Sequence, residues 1–288
     1  MEDTLLPDGR RLLGRLGGDA VYAAIGARVW CDDVVPVARL GKDFPPPLLE
    51  RLRAAGYDEG LIPCQHNSIR LWVHWGAEGG RRFSFREDAG TYEELTVLPH
   101  EIPVPVMRGL TAVHIAPVPF QQMEMLIRWT RARARVLTVD PHYQHVDGNV
   151  EPWRRVLPLV DVFLPSRSEA ADLLGEWPGP EAAARALTHL GPPIVVVKLG
   201  ADGAVAYRAR DATVVRVSAV ESNPIDPTGS GDAFCGGFLV GFTETNDLQL
   251  ALEYGAVSAS FVAADYGAEH ALAVDRVEAR RRVEGLRS

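Results

Sequence analysis

Cysteine is scarce in this chain of 288 residues: only Cys31, Cys64 and Cys235 occur, far apart in the sequence. An odd number of widely spaced cysteines supports neither a disulfide framework nor a zinc cluster. The cysteine content therefore predicts a protein of a reducing compartment, and we expect a cytoplasmic location.

Excess positive charge and long apolar runs are missing as well. The formal net charge is -8, whereas surfaces that bind nucleic acid need concentrated basic residues. The longest apolar stretch, residues 233–242, is too short to cross a bilayer, and the first residues lack the basic start and apolar run of a signal peptide. We therefore expect a soluble protein with neither a nucleic-acid partner nor a membrane partner.

The sequence instead contains short β-branched runs that alternate with helical patterns. Runs 111–115, 135–139 and 194–197 end at turn residues, and segments 121–133 and 181–190 carry apolar residues at helical spacing. Nearly continuous apolar strands separated by helices are typical of a parallel sheet that is covered on both faces. The pattern predicts an α/β fold.

Residues 68–86 break this alternation. Two strand-like runs flank a glycine-rich turn at residues 76–80, a pattern that predicts a β-hairpin. The first run alternates apolar residues with Arg70, Trp72 and His74, so that one side of the hairpin carries aromatic and imidazole groups. Two interpretations remain open: an amphipathic hairpin at a sheet edge, or a lid over a polar ligand.

The most informative stretch is residues 223–242, where a glycine-rich turn precedes an apolar helical pattern. Such a turn exposes the backbone N–H groups of a helix N-terminus, which bind anions. Asp232 follows the turn directly, where a carboxylate can deprotonate an attacking hydroxyl beside a bound phosphate. The simpler alternative is that Asp232 caps the helix and interacts with its dipole.

The same turn excludes two common nucleotide-binding motifs. A Walker A loop is absent, and a dinucleotide fingerprint would need a third glycine where Phe234 stands. A Rossmann-type dehydrogenase is therefore not favoured.

Residues 226–239, Asp-Pro-Thr-Gly-Ser-Gly-Asp-Ala-Phe-Cys-Gly-Gly-Phe-Leu, resemble the C-terminal signature of the ribokinase-like (PfkB) family of sugar and nucleoside kinases. The resemblance implies that Asp232 is the catalytic base. It also implies an anion hole for the transferring phosphate, formed by Gly229, Ser230 and Gly231. A monovalent-cation site is implied at Asp226 and Thr228.

Two segments resemble the part of the family that binds the nucleotide. Residues 198–204 resemble the family's strand and turn beside the nucleotide, and residues 254–267 resemble its helix and turn around adenine. These segments imply the ATP contacts Lys198, Gly200, Gly203, Ala256 and Gly267. The family's metal-associated Asn-x-x-Glu occurs here as Ser166-Arg-Ser-Glu169. The resemblance implies that Glu169 organises Mg²⁺ through water, although serine replaces the asparagine.

The N-terminal half resembles the part of the family that binds the acceptor. A Gly-Gly pair at residues 17–18 opens a helix, and the family's Gly-x-Asp follows at residues 41–43. Tyr22 stands where many sugar kinases have an asparagine that touches substrate. Only five residues precede Leu6, although the family's first core strand is expected there. Asp140 follows a strand and is expected to face the ligand cleft; the simpler alternative is that it starts a turn with Pro141. The candidate acceptor contacts are therefore Asp3, with Glu2 as its alternative, and Gly17, Gly18, Tyr22, Asp43 and Asp140.

Taken together, the resemblance implies a single ribokinase-like kinase domain over residues 1–288, with a three-layer α/β/α core and a small β-sheet lid from about residues 5–16 and 65–90. It implies transfer of the γ-phosphoryl group of ATP, with Mg²⁺ and K⁺ as candidate cofactors, to an alcohol of a sugar, sugar derivative or nucleoside. The exposed edge of the lid could pair with a second copy, which predicts a homodimer. The alternative is a non-catalytic nucleotide-binding or regulatory protein with the same fold.

Overall fold

The computed structural model describes residues 1–76, 81–142 and 149–287. The strands in these ranges are β1 (Glu2–Leu5), β2 (Arg11–Arg15), β3 (Ala38–Leu40), β4 (Leu61–Pro63), β5 (Leu71–Trp75), β6 (Arg81–Phe85), β7 (Ala112–Ile115), β8 (Val136–Val139), β9 (Val162–Phe163), β10 (Ile194–Lys198), β11 (Ala204–Arg208) and β12 (Thr213–Val217). The helices are α1 (Asp19–Arg28), α2 (Pro46–Ala54), α3 (Tyr92–Leu95), α4 (Val104–Met107), α5 (Phe120–Arg131), α6 (Glu151–Val156), α7 (Arg167–Leu174), α8 (Pro180–Thr188), α9 (Ser230–Thr245), α10 (Leu248–Val262) and α11 (Arg276–Arg287).

Six strands form the central sheet, in the order β12-β11-β10-β9-β8-β7. Strands β7 to β10 run parallel, whereas β11 is antiparallel to both β10 and β12. The predicted strands at residues 111–115, 135–139 and 194–197 are confirmed as β7, β8 and β10. The carboxyl ends of β8 and β10 therefore meet at one edge of the sheet, where Asp140 and Lys198 lie.

Helices cover both faces of this sheet, as the alternation of buried side chains along β10 demonstrates. Val195 and Val197 belong to one apolar cluster, which contains residues of α5, α6, α7 and α8. Ile194 and Val196 belong to a second cluster, which contains residues of α9 and α10. Because successive side chains of a strand point to opposite faces, the two clusters lie on opposite sides of the sheet. The predicted three-layer α/β/α architecture is thereby confirmed.

Four strands form a separate, smaller sheet, in the order β2-β1-β5-β6. Strands β5 and β6 are the predicted hairpin, which is confirmed, while residues 77–80 of its turn lie outside the described residues. The first strand of the chain, β1, joins this sheet by parallel pairing with β5. The core strand expected before Leu6 is thus a strand of the small sheet. A short parallel pair, β3 with β4, lies outside both sheets.

Two glycines let α1 and α9 pack against each other at close range. A Cβ atom at Gly26 would overlap the carbonyl of Ala233, and one at Gly236 would overlap the carbonyl of Ala23. No side chain fits at either contact. The first turns of the two helices consequently bring Asp19 and Asp232 to the same cavity.

In the described ranges, no helix has both the length and the apolar content needed to cross a bilayer. Cys31, Cys64 and Cys235 are all free thiols.

Candidate active site

The glycine-rich turn places a helix N-terminus at the edge of a cavity. Gly229 precedes α9 with a left-handed backbone (φ 75°), which favours glycine, and a Cβ atom there would overlap the Tyr22 ring. The Ser230 N–H donates to the carbonyl of Pro227 at 3.2 Å, and the Ser230 hydroxyl donates to the same oxygen at 2.7 Å. In the first turn of a helix, N–H groups have no carbonyl one turn back to bond. The N–H groups of Gly231 and Asp232 are therefore the best placed to receive an anion.

Asp232 is half-buried and lines this cavity, which has a volume of about 250 Å³ and which we call the Asp232 cavity. Burial raises the pKa of Asp232 well above its ordinary value, and the negative charges of Asp19 and Asp140 raise it further, against the opposing charge of Lys198. A carboxylate with a raised pKa is a stronger proton acceptor than an exposed one. The electrostatics of the cavity thus suit a general base.

Two further carboxylates, Glu2 and Asp19, line the Asp232 cavity. The Tyr22 hydroxyl donates to Glu2 Oε2 at 2.9 Å, so a core helix is bonded to the first strand of the small sheet. Burial raises the pKa of Glu2 to about 8 and that of Asp19 to about 6. Glu2 was considered from the sequence only as the alternative to Asp3, and Asp19 was not singled out.

A second cavity, of about 200 Å³, adjoins the Asp232 cavity. The two share the lining residues Glu2, Asp19, Leu71, Tyr92 and Pro117. The other walls of the second cavity are mainly apolar and include Val37, Leu40, Phe44, Leu61, Ile69, Leu95 and Val97. We call it the apolar cavity. The walls of the apolar cavity suit a flat, weakly polar group, while the carboxylates of the Asp232 cavity suit hydroxyl groups.

Glu169 lines the Asp232 cavity from the first turn of α7. Its Oε2 accepts the N–H of Ser166 at 2.7 Å, while the Ser166 hydroxyl accepts the N–H of Glu169 at 3.4 Å. This capping box fixes the position of the Glu169 carboxylate next to the turn. An acidic oxygen donor beside an anion-binding turn fits a hard cation such as Mg²⁺.

Lys198 and Asp140 form a buried ion pair at the carboxyl edge of the central sheet. Lys198 Nζ donates to Asp140 Oδ2, and the two side chains are only 13% and 3% exposed. Burial acts to lower the pKa of Lys198, but the surrounding negative groups, of which Asp140 contributes most, together outweigh it and raise that pKa above its ordinary value. Lys198 is therefore a cation.

Of the predicted acceptor contacts, Gly17 and Gly18 line the apolar cavity, and Tyr22 lines the Asp232 cavity. The other three are occupied elsewhere. Asp3 accepts the Gly14 N–H at 2.6 Å and pairs with Arg86 at 2.8 Å, and Asp43 accepts the Ser68 N–H at 2.6 Å. Among the described residues lining the two cavities, Asp3, Asp43 and Asp140 do not occur. In this structure the Asp140 carboxylate is bonded to Lys198, and its contact with an acceptor stays a prediction.

The predicted nucleotide contacts lie in three places. Gly200 and Gly203 form the turn after β10, where the Leu199 N–H donates to the Gly203 carbonyl at 2.8 Å. Ala256 is buried in the cluster between α10 and the central sheet, and Gly267 packs against Arg15 and Leu16. Their role in ATP binding stays a prediction.

The residues predicted for a monovalent cation are bonded to each other. Asp226 Oδ1 accepts the Thr228 N–H at 3.0 Å and the Thr228 hydroxyl at 2.6 Å. The Ala263 carbonyl accepts the N–H groups of Ile225 and Asp226, which ties the turn to the end of α10. Cation binding here stays a prediction.

Comparison with known proteins assigns the class. Residues 9–274 match the sequence profile of the pfkB family carbohydrate kinases, and the chain belongs to that family. A cytidine kinase of Thermococcus kodakarensis is 27% identical over 92% of this chain and 94% of its own length.

Solved structures with lower identity share the fold. A nucleoside kinase of Burkholderia thailandensis in complex with inosine superimposes with a TM-score of 0.79, at 21% identity, over 99% of this chain and 94% of its own. A protein described as a ribokinase II of Escherichia coli, in complex with ATP and Mg²⁺, gives a TM-score of 0.77 at 21% identity, over 99% and 96% of the two chains.

Proposed function

We propose that the protein is an ATP-dependent nucleoside kinase. The observation that carries the proposal is the continuity of the apolar cavity with the Asp232 cavity through shared walls. A base can occupy the apolar part while the sugar hydroxyls reach the acidic part. A bare sugar would leave the apolar walls without a partner. The Thermococcus cytidine kinase, which matches nearly the whole chain, supports the same acceptor class.

In the proposed reaction, Asp232 accepts the proton of the acceptor hydroxyl as its oxygen bonds to the γ-phosphorus of ATP. The bond from that phosphorus to the bridging oxygen breaks, and ADP leaves. The N–H groups of Gly231 and Asp232 offset the charge of the phosphoryl oxygens. The raised pKa of Asp232 favours proton acceptance.

Mg²⁺ bound to the nucleotide would neutralise phosphate charge, and Glu169 is the residue proposed to hold it through water. Glu169 lines the Asp232 cavity and is fixed by its capping box with Ser166. Its own task is to orient the bound cation beside the turn.

Asp226 and Thr228 are proposed to bind K⁺ and so to order the turn that precedes α9. Asp226 is 1% exposed and holds both donors of Thr228, which makes the turn a compact oxygen-rich element. Potassium should raise kcat at saturating Mg²⁺-ATP. Equal rates in potassium and in a large organic cation, at matched ionic strength, would contradict a cation site.

The small sheet is proposed to act as a lid that excludes water from the transferring group. Leu71, Phe83 and Phe85 of the hairpin line the Asp232 cavity together with residues of the core. We further propose that two copies pair through this sheet, because Leu13 and Phe83 on its two edge strands are 59% and 51% exposed. A monomeric mass in light scattering at assay concentration would contradict the dimer.

The experiment that tests the function is ADP release measured with Mg²⁺-ATP and a panel of nucleosides and sugars. The proposal predicts turnover with at least one nucleoside at a kcat/KM at least about tenfold above that for ribose or fructose. Preference for a sugar would contradict the acceptor class. ATP binding without turnover on any acceptor would instead favour the non-catalytic alternative.

A further inference from the structure

A buried polar cluster lies under the glycine-rich turn and joins three elements of the core. Asp140 follows β8, Lys198 ends β10 and Cys235 lies in the second turn of α9. Lys198 Nζ donates to Asp140 Oδ2, and Cys235 Sγ lies 3.5 Å from that oxygen and 3.6 Å from Nζ. We call these three residues the Lys198 cluster.

The ammonium of this cluster is close to the anion hole. Lys198 Nζ lies 3.8 Å from the position that a Cβ atom would take at Gly231. The negative charges of Glu169 and Asp232 act on it in addition to that of Asp140. Lys198 therefore lies among three carboxylates, and only Asp140 is hydrogen-bonded to it.

Stability alone does not explain this ion pair. Replacing a buried pair with apolar residues of similar volume is often neutral or stabilising, since both charges lose their hydration. The other oxygen of the pair, Asp140 Oδ1, is buried without a hydrogen-bond partner among the described residues, which is a further cost. Such a cost indicates a task outside folding.

A metal site is the competing explanation, and the geometry argues against it. Potential ligand atoms of His114, Asp140 and Cys235 lie within 4.8 Å of one another. However, the Lys198 ammonium already bonds the Asp140 carboxylate and would repel a metal ion there.

We propose that Asp140 is a positioning residue, whose carboxylate holds the Lys198 ammonium beneath the anion hole so that it faces the γ-phosphoryl group of ATP. This inference rests on the proposed function. Lysine is a point charge on a flexible four-carbon stem, so its placement depends on its partner. Without Asp140, the ammonium would turn to Glu169 or Asp232, and pairing with Asp232 would occupy the base.

Asp140→Asn tests the positioning role, because asparagine keeps the size of aspartate and removes its charge. We expect kcat to fall about tenfold or more while the acceptor KM changes less than about twofold. The matched control is Thr138→Val, on the same strand and two residues away. Thr138 is fully buried and bonds His114 at 2.9 Å, with no bond to Lys198. The control should lose stability and keep kcat per folded molecule.

The double variant Asp140→Asn/Lys198→Met separates action through Lys198 from general damage. If Asp140 acts only through Lys198, then adding Asp140→Asn to Lys198→Met should lower kcat less than about twofold further. The double variant also removes both charges together, which protects folding if one single variant is unstable. Independent, multiplicative losses in kcat would overturn the proposal, as would a wild-type kcat for Asp140→Asn.

Nucleotide binding tests the placement of Lys198 without any acceptor. Lys198→Met should weaken binding of Mg²⁺-ATP by about tenfold or more and leave Mg²⁺-ADP within about twofold, because only ATP carries the γ-phosphoryl group. Equal weakening of both nucleotides would overturn the placement. Since calorimetry of these two ligands needs no turnover, its result can be read even if the proposed acceptor class is wrong.

Discussion

At the scale of single residues, Gly229 is a position where the close contact between the turn and α1 leaves no room for a side chain. Its backbone is left-handed, and a Cβ atom would overlap the Tyr22 ring. Gly229→Ala should therefore lower the free energy of unfolding by about 2–4 kcal/mol, from backbone strain plus overpacking. It should also lower kcat more than about tenfold, because the N–H groups of the turn would move.

Gly109→Ala is the matched control for this substitution. Gly109 has nearly the same backbone (φ 78°), and a Cβ atom there would meet open space. Only the backbone strain, about 1 kcal/mol, should appear, with kcat unchanged. Equal losses of stability in the two variants would contradict the account of the Tyr22 contact.

Glu2 makes a prediction about pH. Burial raises its pKa from 4.5 to about 8, so between about pH 5 and pH 8 the folded protein binds more protons at Glu2 than the unfolded chain does. The contribution of Glu2 to the free energy of unfolding therefore falls as pH rises through that window. Glu2→Gln removes the titrating carboxyl group, while the glutamine side-chain oxygen can still accept a hydrogen bond from the Tyr22 hydroxyl. Its stability relative to wild type should rise by about 1 kcal/mol or more from pH 5 to pH 8. Parallel pH profiles in urea unfolding would contradict this.

Sequence patterns located the turn residues well because a local motif determines them. Gly229, Gly231 and Asp232 follow each other in the chain and start one helix. Asp19 was missed, and Glu2 was considered only as the alternative to Asp3, because nothing local marks either residue. Their position in the cavity depends on β1 pairing with β5 and on the close packing of α1 with α9. The Gly-Gly pair before Asp19 was the one available signal.

At the scale of elements, the structure changes how the lid is best tested. Strand β5 pairs with both β1 and β6, so deleting parts of the hairpin would also release the strand that carries Glu2. Strand β6 is an edge strand, and Phe83 and Phe85 project from it into the lining of the Asp232 cavity. Side-chain truncation on β6 is therefore the cleaner experiment.

The double variant Phe83→Ala/Phe85→Ala should raise the acceptor KM about tenfold or more and leave the ATP KM within about twofold, because the two rings border the acceptor side. Leu13→Ala, on the other edge strand and 59% exposed, is the control and should change neither value. Equal increases in both KM values for the β6 variant would contradict a lid over the acceptor.

Elements with a strong periodic pattern were predictable, and the small sheet was predictable only in part. The helices expected at 121–133 and 181–190 are α5 and α8, and β5 with β6 is the expected hairpin. The sheet partner of β1 could not be predicted, because parallel pairing joins residues 69 positions apart (Glu2 with Leu71) and depends on the whole fold.

At the scale of the whole molecule, the order of motifs was more informative than any one of them. The turn before α9 and the Gly-Gly pair before α1 are far apart in sequence and line one cavity system. The strand end at Lys198 lies next to the turn, with Nζ 3.8 Å from the position of a Cβ atom at Gly231. The sequence could not predict which way Asp140 turns, since a strand-end carboxylate can face the cleft or, as here, bond a side chain at a neighbouring strand end.

Asp247 is an acidic residue whose side chain only caps a helix, and it serves as the comparison for Asp232. Its carboxylate accepts the N–H groups of Gln249 and Leu250 at the start of α10. Asp247→Ala should cost about 1 kcal/mol of stability and leave kcat unchanged. The alternative interpretation of Asp232, as a cap that interacts with the helix dipole, predicts the same pattern at α9, with a loss of about 0.3–1 kcal/mol.

The central claim is that Asp232 is the general base, and the kcat of purified Asp232→Asn tests it most directly. Asparagine keeps the shape of the residue and cannot accept the acceptor's proton. The account predicts a fall in kcat of about 10² to 10⁴ relative to wild type, with ATP affinity and melting temperature nearly unchanged. Turnover close to wild type by a well-folded Asp232→Asn protein would contradict it.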